Sequence, residues 1–191
     1  MIELTGEDQQ LLLKIARKTI EQAFQPTGFN LSEQEIPVHL LENGASFVTL
    51  TIQGRLRGCI GTLIAYQPLV QDVCEHATAA AFQDPRFPPL TVLEFDQIEI
   101  EISYLTPPEK LSYDSPEALL EGLKANCDGV ILSDGYRRAT YLPQVWDQLP
   151  DKEQFLSSLC QKMGANSNLW RKKRLSVETY RAVHFSESDF Q

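Results

Sequence analysis

The sequence predicts an α+β fold of two interlocked subdomains, each an antiparallel sheet with packed helices. Three observations carry that prediction. Residues 97–105 alternate polar and apolar side chains, so one strand face is buried and one is polar, as in antiparallel rather than parallel sheets. Two hairpin turns, Gln53–Gly54 and Asp134–Gly135, are each followed by a helical pattern and then a strand, which reads as an internal hairpin–helix–strand duplication. No long linker interrupts the chain, so 1–191 reads as a single domain with halves of roughly 1–110 and 111–191.

Thr5 to Gln25 is predicted helical. Leu12, Ile15, Ala16 and Ala23 recur at helical spacing, Thr5 with Asp8 resembles a capping box, and Pro26 and Gly28 end the run. A polar connection follows to Pro37. Ser46–Ile52 and Arg55–Leu63 form the first hairpin. Pro68 opens a second helix at its first position, where a missing N–H costs nothing, with Leu69, Val70, Val73, Ala77 and Ala81 as its apolar face. Asp84–Pro85 stops it, and the proline-rich stretch to Leu90 suits neither a helix nor a central strand. Ile98, Ile100, Ile102 and Tyr104 form the buried face of the next strand, with Glu99, Glu101 and Ser103 opposite. Ser115–Pro116 starts a short helix ending near Leu123. Gly129–Leu132 and Tyr136–Leu142 make the second hairpin. Asp151 caps a helix that runs to Met163 and stops at Gly164, and Leu175–Phe185 is read as one final strand.

Apolar residues make up 42% and charged residues 23%, the balance of a globular protein with its own core. Seventeen Lys and Arg against twenty-six Asp and Glu give a net charge of -9, which opposes nucleic-acid binding unless positive charge is concentrated. The one dense basic run, Arg171–Arg174, reads as a solvated turn before a strand. Cys59, Cys74, Cys127 and Cys160 form no C-x-x-C pair and cluster with no His, so no metal site is expected. The first ten residues lack the apolar core of a signal peptide, and no apolar run reaches membrane-spanning length. A cytoplasmic protein with reduced thiols and no membrane segment is the expectation.

Leu56–Thr62 is the most unusual run. Strict alternation puts Arg57, Cys59 and Gly61 on one face and Leu56, Gly58, Ile60 and Thr62 on the other. Residues two apart on a strand lie about 7 Å apart, within reach of an Arg side chain, and a guanidinium beside a thiol favours the thiolate. Glycines flanking Cys59 leave room for a ligand to approach. The competing reading makes Cys59 a packed small hydrophobe and the glycines a bulge beneath a close helix. Asp84 and Arg86 either line the edge of a rigid cleft, or Asp84 caps or closes a turn while Arg86 pairs with a carboxylate and Phe87 fills the core. Cys74, Cys127 and Cys160 read as core positions, Gln144 as a turn residue within reach of a ligand, and His184 as an ambiguous polar residue.

These segments together resemble a known family. Leu56-Arg57-Gly58-Cys59-Ile60-Gly61-Thr62 matches its signature, as do Asp84-Pro85-Arg86-Phe87-Pro88-Pro89-Leu90, Ile102-Ser103 with Leu105-Thr106-Pro107, Leu142-Pro143-Gln144-Val145, and Phe155-Leu156 with Leu159-Cys160 and Lys162. The family is that of AmmeMemoRadiSam system protein A, the AMMECR-type domain, and the resemblance covers nearly the whole chain. Met163–Gly164–Ala165–Asn166 departs from the usual Ala-Gly-Leu at a helix end. The resemblance implies an α+β fold of two interlocked subdomains. Bacterial and archaeal members are often encoded beside Memo-type and radical SAM proteins, and eukaryotic members are linked to a developmental syndrome. It implies no particular reaction or cofactor, and a cleft at the motif is the suspected active site.

Two functional classes follow. One is an enzyme in a Memo and radical SAM modification system, with Cys59 and Arg57 as catalytic candidates and Gly58, Gly61, Thr62, Asp84 and Arg86 as binding candidates. The other is a non-catalytic binding or adaptor module in which Cys59 only packs. Nucleic-acid binding through Arg171–Arg174 stands third.

Overall fold

The computed structural model describes residues 3–25 and 29–190. Helix α1 (Gly6–Phe24) starts at Thr5, whose hydroxyl accepts from the Asp8 N–H while the Asp8 carboxylate accepts from the Thr5 N–H, the reciprocal box read in the sequence. Pro26 and Gly28, expected to end this helix, lie outside the described residues. The polar connection contains two short 3-10 turns, Leu31–Glu33 and Val38–Leu41. Strands β1 (Asn43–Ile52) and β2 (Arg55–Gly61) form the first hairpin, and both Gln53 and Gly54 take positive φ at its turn. The short strand β3 (Gln67–Pro68) pairs with Asn43–Gly44, so Pro68 caps α2 (Leu69–Phe82) from one residue before its first position. A one-turn helix α3 (Val92–Phe95), absent from the sequence reading, precedes β4 (Ile98–Leu105).

The second half runs β5 (Glu109–Lys110), α4 (Pro116–Gly122), β6 (Gly129–Ser133), β7 (Arg138–Tyr141), α5 (Lys152–Lys162), α6 (Leu169–Lys172) and β8 (Ser176–Tyr180). Strand β9 (Ala182–Ser186) follows. The single strand expected over Leu175–Phe185 is therefore broken at Arg181: β8 pairs with β5 and β6, whereas β9 pairs with β4. Alternating residues read the same on either side of the break, so the pattern alone does not reveal a change of sheet.

The chain divides into two compact units, Met1–Thr106 with Val183–Gln191, and Pro107–Ala182. It enters the second unit after Thr106 and returns to the first through β9. In the first unit the sheet order is β2-β1-β4-β9, and α1 and α2 cover the face formed by Val48, Leu50, Ile98, Ile100 and Ile102. In the second unit the order is β5-β8-β6-β7, and Val130, Leu132 and Val177 pack against α4, α5 and the stacked pair Trp146 and Phe155. Cys160 is buried in that core. Cys127 is exposed rather than buried, because it lies in the turn where its N–H bonds to Lys124 O. No helix among the described residues is long and apolar enough to cross a membrane.

Candidate functional site

The motif strand departs from strict alternation at Arg57. Leu50 faces Gly58 across the hairpin and Thr51 faces Leu56, which leaves Arg57 as the extra residue of a β-bulge. The bulge changes the parity of the strand. Leu56 is exposed rather than sharing the buried side with Gly58. Beyond it, Gly58 turns to α2 so closely that a Cβ there would lie 2.1 Å from Ala80 O. Gly61 makes room for the Phe47 ring and Ser46 O. The space freed by both glycines is thus filled by the protein itself. Thr62 closes the strand end, donating its N–H to Ser46 O at 3.1 Å and accepting from the Ile64 N–H at 3.1 Å.

Arg57 is 9% exposed and reaches the segment after α2. Its Nε and Nη2 bind the two Glu94 oxygens at 2.8 and 3.1 Å, Nη2 also donates to Pro89 O, and the guanidinium lies over the Phe87 ring. Glu94 is at once the capping-box residue of α3, accepting from the N–H and hydroxyl of Thr91. The hydrogen bonds from Arg57, joined by those from Thr91, hold the Glu94 carboxyl down to about 2.

Asp84 and Arg86 close the free edge of β2. Asp84, 4% exposed, accepts from the Cys59 N–H at 2.9 Å and from the N–H, Nε and Nη2 of Arg86. Arg86 Nη2 donates to Cys59 O at 3.1 Å. An edge strand offers unpaired N–H and C=O groups, and here the two exposed by Cys59 are satisfied by side chains. The hydrogen bonds from Arg86 hold the Asp84 carboxyl far below the usual carboxylate range. The same bonds push the Arg86 pKa up, and the nearby Cys59 side chain adds to that rise. Arg86 is thus the guanidinium bonded to the Cys59 backbone, and the Arg57 charge is matched by Glu94. Arg86 Nη1 has no hydrogen-bond partner among the described residues, and its side chain is half-exposed.

Cys59 is partly exposed on the sheet face opposite the helices, and Thr49 Oγ1 donates to its sulfur at 3.4 Å. Thr49 pairs with Cys59 on one side and Glu101 on the other, so the three form one cross-strand row. In the next row Phe47 pairs with Gly61 and Ser103, and Ser103 Oγ shares a 2.8 Å hydrogen bond with His184 Nδ1 from β9. Desolvation lowers the pKa of His184, and the Glu101 carboxylate opposes it. Three strand spacings separate β2 from β9, about 14 Å, so Cys59 and His184 are not a hydrogen-bonded dyad. By contrast, burial pushes the Cys74 and Cys160 thiols up, leaving them as packing groups. Gln144 is exposed in the second unit on a 3-10 turn, Pro143–Asp147. Among the described residues no group of three His, Cys, Asp or Glu side chains converges to hold a metal ion.

Sequence reasoning missed Glu94 and the pairing of Ser103 with His184. Thr91 and Glu94 have capping-box spacing, which could have revealed α3 but not its partner Arg57.

A family model described as AMMECR1 matches residues 13–185. A protein of Thermofilum pendens is 36% identical over 98% of this chain and 93% of its own length. One of Methanothermobacter thermautotrophicus is 35% identical over 96% of each. The crystal structure of the uncharacterized protein PH0010 from Pyrococcus horikoshii superposes with a TM-score of 0.84 at 33% identity, covering 97% of this chain and 94% of that one.

Proposed function

The chain belongs to the AMMECR1 family, and we propose that the open face of its first sheet is a thiol-dependent active site centred on Cys59. The observation that carries this reading is a partly exposed cysteine whose backbone carbonyl accepts from Arg86, a half-exposed guanidinium that Asp84 holds in place beside it. Such a guanidinium both stabilises a thiolate and orients an anionic substrate group. Glu101 and the Ser103–His184 pair lie further across the same face. A bound molecule spanning about 10 Å, two strand spacings, would meet Glu101 as a proton-transfer group. Arg57, Gly58 and Gly61 support the strand, and Thr62 closes its end. A role in a modification system with Memo-type and radical SAM proteins, in a reducing cytoplasm, is part of this reading, and all four cysteines are free.

The test uses Cys127 as an internal reference, because it is the exposed thiol of the same chain. Native protein is labelled with graded iodoacetamide at neutral pH and the sites are quantified by mass spectrometry. Cys59 is expected to react faster than Cys127 and to lose that lead in Arg86→Gln. A Cys59 slower than Cys127 in the native protein rejects the thiolate.

A second reading makes the same face a docking surface for a Memo-type or radical SAM partner, with no covalent step. It is favoured by the fact that Arg57 and Asp84 spend their hydrogen bonds within the protein. Co-purification with the neighbouring gene products distinguishes the two. A Cys59→Ala variant that keeps both partner binding and cellular function supports docking.

A further inference from the structure

The basic run Arg171–Arg174 has no role in the site on the first sheet, and all four of its residues are exposed. It lines a pocket of about 200 Å³ in the second unit, opposite Tyr113 and Asp114. Two of its guanidiniums are held against buried aromatic rings. Arg171 lies 4.5 Å from the centre of the Trp170 ring, and Arg174 lies 5.7 Å from that of Tyr113. Both rings are pinned. Trp170 Nε1 donates to Ser157 Oγ at 3.1 Å, while the Tyr113 hydroxyl accepts from the Leu175 N–H at 2.8 Å and donates to Leu175 O at 2.9 Å. Cations placed in this way lose little further freedom when they bind a ligand.

The charge is also unbalanced. Arg171 pairs with Glu153, and Asp114 stands in the wall. No salt bridge engages Lys172, Lys173 or Arg174 among the described residues. Asp114 in the wall, Glu153 at Arg171 and Asp134 near Lys173, the last already paired with Arg137, leave an excess of two positive charges here, in a chain whose total is -9. Adjacent like charges repel, and a bound dianion relieves the repulsion. We propose that this pocket binds the phosphoryl group of a small soluble phosphate monoester. The pocket is smaller than the roughly 300–1,000 Å³ of a site that swallows a whole drug-sized ligand, so it suits the anionic group rather than the entire molecule. A short, half-open site of this size fits a discrete dianion better than an extended polyanion, and planar guanidiniums match phosphate oxygens in bidentate fashion.

The full-length protein is titrated by calorimetry with phenyl phosphate at constant ionic strength, and Trp170 fluorescence is followed in parallel. Saturable binding is expected, weakened about tenfold or more in the Lys172→Gln/Lys173→Gln double variant and unchanged in Lys14→Gln in the first unit. Both altered lysines are solvent-exposed, so the double variant keeps the fold, which circular dichroism checks. Sodium chloride or sulfate displacing phenyl phosphate at equal concentration, or equal affinity in the double variant, overturns the proposal. So does preferential binding to phosphatidic acid vesicles or to single-stranded RNA over the soluble monoester, since either makes the run a surface patch for a larger polyanion.

Discussion

In the first unit the strands of the repeat lie in the order β2-β1-β4, and in the second they lie as β7-β6-β8. Their rows correspond: Cys59–Thr49–Glu101 in one, Thr140–Ile131–Glu178 in the other. Even the edge is closed alike. Arg86 donates to Cys59 O, and Lys162 Nζ donates to Thr140 O at 2.9 Å. What differs is the state of the outer-strand side chain. Thr140 Oγ1 is taken up by Val130 O and the Tyr180 hydroxyl, and the Tyr180 ring fills the space that Gly129 leaves. Burial pushes the Tyr180 hydroxyl up to about 12. The Cys59 sulfur has a weak hydrogen bond from Thr49, and Arg86 binds the carbonyl of the same residue. One scaffold thus carries a polar row locked into the second unit and a row with an available thiol in the first. A shared topology does not carry a shared chemistry.

The largest expected effect breaks the comparison at its packing. Gly58 and Ala139 each stand four residues beyond the turn glycine; Gly58 has no room for a Cβ against a helix backbone atom, whereas Ala139 already carries one packed on the second core. Gly58→Ala should cost about 3 kcal/mol or more in chemical denaturation, because Ala80 O cannot move aside without shifting α2. Ala139→Gly should cost only about 1 kcal/mol. Next comes the edge closure. Asp84→Ala strips a buried acceptor from the Cys59 N–H and should cost about 2–3 kcal/mol, with hydrogen exchange at the Cys59 amide losing protection. Lys162→Ala, at an exposed counterpart, should cost less than about 1 kcal/mol.

The acid limb sharpens the contrast further. The folded state holds Glu94 at about 2 against an ordinary 4.5, so its stabilisation is complete above the ordinary value and is lost as pH falls through the folded one. Urea midpoints followed downward from about pH 4.5 should fall, and Glu94→Gln should flatten that fall. The smallest effect is expected from Cys59→Thr, which copies the second unit's residue into the first. Stability should change by less than about 1 kcal/mol, while iodoacetamide labelling at that position vanishes.

Much of the fold was legible because it is written locally. The Thr5–Asp8 box, the Ser115 and Asp151 caps, the glycines at both hairpin turns and the alternation of Ile98, Ile100 and Ile102 each need only a few neighbouring residues. The hairpin–helix–strand repeat followed from their order. The site was legible as a motif and not as a geometry. Strict alternation hid the bulge at Arg57, since nothing within Leu56–Thr62 reveals that Leu50 and Thr51 face Gly58 and Leu56.

By itself, then, the sequence determined the element types, their caps, the repeated order and the candidate cysteine, because those depend on interactions spanning a few residues. Only the tertiary structure decided that Arg57 meets Glu94 thirty-seven residues away. It also decided that Arg86 binds the Cys59 carbonyl, and that the chain changes sheet at Arg181 and brings His184 to Ser103. Those partners are chosen by strand order, register and the path of the connecting segments, which no local pattern encodes.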